Sequence, residues 1–117
     1  MEKIKVIEVT SRGIKFDNGA TLTSEHNSEC CEWHELTFSD LTLEDFNDLE
    51  FDLTKDSFFK RIPDYGIELV PIEGWSVKIP GHGYNNGYYG DNIDLVIYSK
   101  DGKKYKSFDV SECQILY

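Results

Sequence analysis

Residues 3–24 alternate apolar and polar side chains with a period of two, which is typical of β-strands that bury one face. Ile4 and Val6 lie on one side of the first run, and Ser11-Arg12-Gly13 ends it. Asp17-Asn18-Gly19 then separates two further short runs, and Asn-Gly favours a hairpin because both residues tolerate positive φ. The pattern predicts a three-stranded antiparallel meander.

The second half of the chain returns to the same kind of pattern. Lys100-Asp101-Gly102-Lys103 predicts a second hairpin, and Glu73-Gly74 predicts another tight turn. Pro71 cannot donate a ladder hydrogen bond, so it predicts an edge position or a bulge for the run that contains it. The predicted strands cover residues 58–62, 67–72, 75–79, 93–98, 105–110 and 113–116.

The segment after the meander allows two interpretations. In a helix, His26, Cys30 and His34 would share one face. In a strand, His34, Leu36 and Phe38 would lie on one side. The aromatic and β-branched content near the end of the segment favours the strand.

One short helix is predicted after this strand. Thr42 suits the N-cap, and Asp45 stands at the capping-box distance from it. The apolar face would consist of Leu43, Phe46 and Leu49. The predicted fold class is therefore α+β, a mostly antiparallel β-sheet with one short helix, and residues 1–117 are expected to form a single domain.

The net charge of the chain limits the classes of partner that it can bind. It has 22 acidic residues against 12 basic ones, a net charge of −10, so direct binding to nucleic acid is not expected. The recurring carboxylates of residues 40–56 lack the glycine of a calcium loop and predict a solvated face. No apolar run reaches the length of a membrane span, and three cysteines do not make a secreted disulfide framework. A cytoplasmic protein is expected, with another protein as its partner.

The stretch richest in reactive groups holds His26, Cys30, Cys31 and His34. Zinc could use them as ligands, together with His82 or Cys113, but adjacent cysteines in a strand point to opposite faces. A nucleophilic thiolate is disfavoured by the neighbouring glutamates. Packing of one cysteine in the core is the favoured interpretation; no cofactor is predicted, and zinc is the alternative.

A second unusual stretch covers residues 80–92, with four glycines and three tyrosines. Exposed tyrosines provide rigid contact area with a polar tip, which suits a ligand or a protein partner. The alternative, slightly favoured, is a hairpin turn centred on Asn86-Gly87, with Tyr88 and Tyr89 in the returning strand.

The two stretches together resemble a family of small uncharacterised proteins from phages and bacteria. The resemblance consists of His26, Glu29, Cys30, Cys31 and Glu32, followed by Asn86, Gly87, Tyr88 and Tyr89. The family usually has aspartate where this chain has Glu29, and the likeness covers about residues 20–97 in motif order. It implies no activity. It does imply that the two motifs matter and lie together.

From these observations we expect a small non-enzymatic binding module of phage or mobile-element origin, with both motifs as its binding residues. The first alternative is a metal- or thiol-dependent site built on His26, Cys30, Cys31 and His34. The second is that both motifs only serve folding.

Overall fold

The computed structural model describes residues 3–25, 33–84 and 93–116. Within these ranges the chain forms ten strands in two sheets. The strands are β1 (Val6–Thr10), β2 (Gly13–Phe16), β3 (Thr21–Glu25), β4 (Trp33–Leu36), β5 (Phe59–Ile62), β6 (Gly66–Leu69), β7 (Val77–Tyr84), β8 (Asp94–Tyr98), β9 (Lys104–Asp109) and β10 (Ile115–Leu116).

The first sheet is antiparallel throughout and has the order β1-β2-β3-β8-β9. The predicted meander is confirmed. Gly19 takes a positive φ of 90° in the turn between β2 and β3, where the Ala20 N–H donates to the Asn18 side chain at 2.9 Å. The second predicted hairpin joins β8 to β9, with Gly102 at a φ of 85°.

The second sheet has the order β10-β7-β6-β5, and β4 also pairs with β7. Its pairs are antiparallel except for β10 with β7, which is parallel. The edge position predicted from Pro71 is wrong, because β6 lies between β5 and β7. The conflict with proline is avoided because β6 ends at Leu69, so Pro71 falls in the connection that follows.

The predicted short helix is only partly correct. Thr42 donates its backbone N–H to the Asp45 carboxylate at 2.8 Å, as the capping pattern predicts, but Leu43–Phe46 forms a single 3₁₀ turn. Asn47 is already extended and Asp48 has a φ of 64°, so the helix cannot continue. A second 3₁₀ turn covers Asp56–Phe58, and the described residues contain no helix long and apolar enough to cross a membrane.

Both sheets contribute to one hydrophobic core. Its phenylalanine rings pack edge to face, with Phe16 and Phe51 at a centroid distance of 6.0 Å. The first sheet contributes Ile14, Phe16, Leu22, Leu95 and Ile97, and the second contributes Leu36, Ile67, Leu69 and Ile79, all almost fully buried. The sheets are therefore packed against each other.

Candidate functional site

Two connections between the sheets have their flanking strand ends paired with each other. β3 leads through residues 26–32 to β4, and β7 leads through residues 85–92 back to β8. β3 pairs with β8, with Glu25 opposite Asp94, and β4 pairs with β7, with Trp33 opposite Tyr84. We call these four residues the paired strand ends. Both connections therefore start and finish at neighbouring backbone positions.

The nine residues of the predicted binding motifs lie outside the described ranges. They are His26, Glu29, Cys30, Cys31, Glu32, Asn86, Gly87, Tyr88 and Tyr89. The structure describes the strands that carry them instead. The hairpin interpretation of Asn86-Gly87 stays a prediction, because its turn and its returning residues Tyr88 and Tyr89 lie outside the described ranges.

His34 is the one residue of the histidine–cysteine stretch that the structure describes. It lies in β4, as the strand interpretation predicts, and not in a helix. His34, Leu36 and Phe38 are all buried, with exposed fractions of 2%, 2% and 1%. The three residues predicted to share one side of a strand are therefore all buried.

The imidazole of His34 is oriented by a remote glutamine. His34 Nδ1 lies 2.5 Å from Gln114 Oε1, and Gln114 Nε2 donates to the Ser111 carbonyl at 2.7 Å. Because an amide oxygen only accepts, Nδ1 must carry the proton. In the neutral ring the lone pair is then on Nε2, so this chain of hydrogen bonds selects both the tautomer and the ring orientation.

The glycines of β7 leave space for the hydrogen bonds between His34, Gln114 and Ser111. A β-carbon at Gly83 would collide with Gln114 Oε1 and His34 Nδ1, and one at Gly81 would collide with the Cys113 carbonyl. The sequence predicted that this strand ends at residue 79 and that a glycine-rich stretch follows it. The strand instead continues to Tyr84, and glycine occurs at positions 81 and 83 because His34 of β4 and residues 113–114, just before β10, lie close to it.

The structure separates the residues proposed to complete a zinc site. His82 pairs with Glu35, while His34 pairs with Gly83, so the two imidazoles are on opposite faces of the sheet. Cys113 is fully buried, and desolvation, with a smaller contribution from Glu112, raises the pKa of its thiol. In the parts of the chain that the structure describes, no three His, Cys, Asp or Glu side chains are close enough to hold a metal.

A cluster of charged and polar side chains stabilises the end of β3, where the connection to β4 begins. Glu25 accepts a hydrogen bond from the Tyr98 hydroxyl, and its other oxygen lies 3.0 Å from Lys104 Nζ. The Tyr98 bond, followed by the Lys104 bond, lowers the pKa of Glu25, and the pKa of Tyr98 is raised in return. Sequence reasoning missed this cluster, because only the pairing of β3 with β8, and of β8 with β9, brings these residues together.

Comparisons with protein-family models, with curated proteins and with solved structures found no match for this chain. The family resemblance of the two motifs therefore stays a prediction.

Proposed function

We propose that this protein is a small, non-enzymatic binding module that recognises another protein through the two motif connections. The observation that carries the proposal is the arrangement of the paired strand ends. Glu25 lies opposite Asp94 and Trp33 opposite Tyr84, so two connections far apart in sequence leave and re-enter the scaffold at neighbouring positions.

The residue types of these connections support recognition of a protein. Residues 84–90 contain three tyrosines together with asparagine and glycine, a composition that recurs in protein-binding loops because tyrosine gives large contact area at low entropic cost. The adjoining strands are held in place by the buried hydrogen bond between His34 and Gln114 and by the contacts of Glu25 with Tyr98 and Lys104. A rigid scaffold that carries aromatic connections is the usual arrangement of a binding site. The resemblance to phage and bacterial proteins adds an origin in a phage or another mobile element.

The first experiment tests whether the two motifs lie together. A nitroxide label on Cys31 in a Cys30→Ser variant should broaden the backbone amide signal of Gly87 much more than that of Gly102. Cys113 is buried and should stay unlabelled in the folded protein. Equal broadening of the two glycine signals would contradict a shared surface.

The second experiment tests binding. The tagged protein is used to capture partners from a host lysate, and the bound proteins are quantified for the wild type, for a Tyr88→Ala/Tyr89→Ala variant and for Tyr105→Ala. Tyr105 is the matched control, since it is 53% exposed on β9 and lies outside both motifs. We expect a partner that is lost with the double variant and retained with the control. A partner that survives the double variant would exclude this surface.

The metal-dependent alternative is separated by elemental analysis of the purified protein. Zinc in a one-to-one ratio, lost in a His34→Ala variant, would replace the binding proposal by a metal site. His34 is the only member of that ligand set within the described residues.

A further inference from the structure

A second surface, away from both motifs, exposes large apolar side chains. Trp75 is 54% exposed and Leu43 is 50% exposed, and Ile72 beside them is 36% exposed. Most residues of this size and polarity in the described chain are buried in the core. We call Leu43, Ile72 and Trp75 the Trp75 surface.

Three contacts hold the parts of this surface together. The Trp75 indole N–H donates to the Asp45 carbonyl at 3.1 Å, which fixes the ring against the 3₁₀ turn that contains Leu43. The Ile72 N–H donates to the Glu50 carbonyl at 2.8 Å. Between them the turn at Gly74 packs so closely on Leu49 that an added β-carbon would lie 2.9 Å from Leu49 Cδ2. Residues 72–75 therefore run along residues 45–50.

The charges around the Trp75 surface are mostly negative. The acidic residues of the two segments are Asp40, Glu44, Asp45, Asp48, Glu50 and Glu73. Neither residues 40–50 nor residues 72–75 contain a lysine or an arginine. Lys5 borders the surface, because the pairing of Ile4 with Phe51 places it beside Glu50, and Lys55 and Lys60 line a cavity together with Ile72. The six carboxylates outnumber these three lysines.

We propose that the Trp75 surface docks a basic segment of a partner protein, with an arginine or lysine on the Trp75 indole and an apolar side chain over Leu43. An indole face attracts cations, and surrounding carboxylates strengthen that attraction. A second copy of the chain would bring another net charge of −10 and is disfavoured, as is nucleic acid. The inference goes beyond the proposed function, because it uses neither motif connection.

The test uses a synthetic peptide of alternating arginine and leucine, added to ¹⁵N-labelled protein. The chain has two tryptophans, so the indole N–H signals of Trp75 and Trp33 can be followed separately. We expect the Trp75 signal to shift and the Trp33 signal to stay. Trp75→Ala should lower the affinity about tenfold, the size typical of a central aromatic anchor. Tyr105→Ala, at an equally exposed tyrosine, should leave it unchanged.

Trp75→Ala does not alter the net charge, so it separates a docking site from general attraction to an acidic protein. Equal affinities of wild type and Trp75→Ala, or a shift of the Trp33 signal in place of Trp75, would overturn the proposal. Leu43→Ala is the second variant, because a half-exposed side chain contributes little to folding, and an unchanged affinity there would overturn it as well. A negative result with the peptide does not affect the outcome of the capture experiment with the Tyr88 and Tyr89 variant. The two proposals can therefore be refuted independently.

Discussion

The two sheets of this protein are joined in different ways. Most strand pairs of the first sheet are neighbours in sequence, such as β2 with β3 and β8 with β9, and the pairing of β3 with β8 is its one long-range pair among the described residues. The second sheet depends on β7, which takes β4 and β10 as partners from distant parts of the chain, and on a buried hydrogen bond between residues 80 positions apart. The first sheet should therefore tolerate local changes, whereas single substitutions at the crossing of β4, β7 and β10 should disturb several contacts together.

The largest expected effect comes from Gly83→Ala. The added methyl group would displace the His34–Gln114 pair in a fully packed region, and we expect a loss of about 3 kcal/mol in the free energy of unfolding. Gly102→Ala in the first sheet is the control. It meets no atom within 4 Å, so only its positive φ opposes the change, at about 1 kcal/mol. Urea denaturation measures both, and equal losses would remove the contrast between the sheets.

The next effect is expected for Gln114→Ala. The variant leaves the buried Nδ1–H of His34 without its acceptor and opens space beside it, so about 2 kcal/mol should be lost. Thr23→Ala is the matched control, since it removes a hydrogen bond from an exposed hydroxyl to the Arg12 carbonyl and should cost under about 0.5 kcal/mol. A Gln114 variant as stable as the control would show that the pair contributes no net stability.

The smallest effect concerns pH and the cluster at Glu25, which links β3, β8 and β9 within the first sheet. Its folded pKa is lowered by Tyr98 and Lys104, so its contribution to stability is present above the unfolded value of 4.5 and is lost as the pH falls through the folded value. The wild type should lose more stability than Glu25→Gln between about pH 5 and about pH 3. Glu8→Gln, at an exposed position of β1, removes the same charge as a control. Parallel pH curves for all three proteins would exclude a role for the cluster.

Local patterns predicted the first sheet well. Asn18-Gly19 and the Lys100–Lys103 turn specify their hairpins through residues that accept positive φ, and alternation assigns each side chain to a face. The same reasoning placed His34, Leu36 and Phe38 together on one side of a strand. It was wrong about the length of the helix after Thr42, because Asn47 is extended and Asp48 is left-handed. It also ended the strand before residues 80–84, because the reason for the glycines there lies in His34 and in residues 113–114.

The sequence by itself determined a β-rich, acidic chain, its main hairpins and the shared side of His34 and Leu36 in β4, since each follows from contacts between near neighbours or from composition. Only the tertiary structure decided that β3 pairs with β8 while β4 pairs with β7, which brings the ends of the two motif connections together. The tertiary structure also decided that the Trp75 indole N–H donates to the Asp45 carbonyl and that His34 is hydrogen-bonded to Gln114. Such pairings depend on how the whole core packs. They are selected by the entropic cost of closing long loops and by the apolar area that is buried, and neither quantity can be read from a short segment of the sequence.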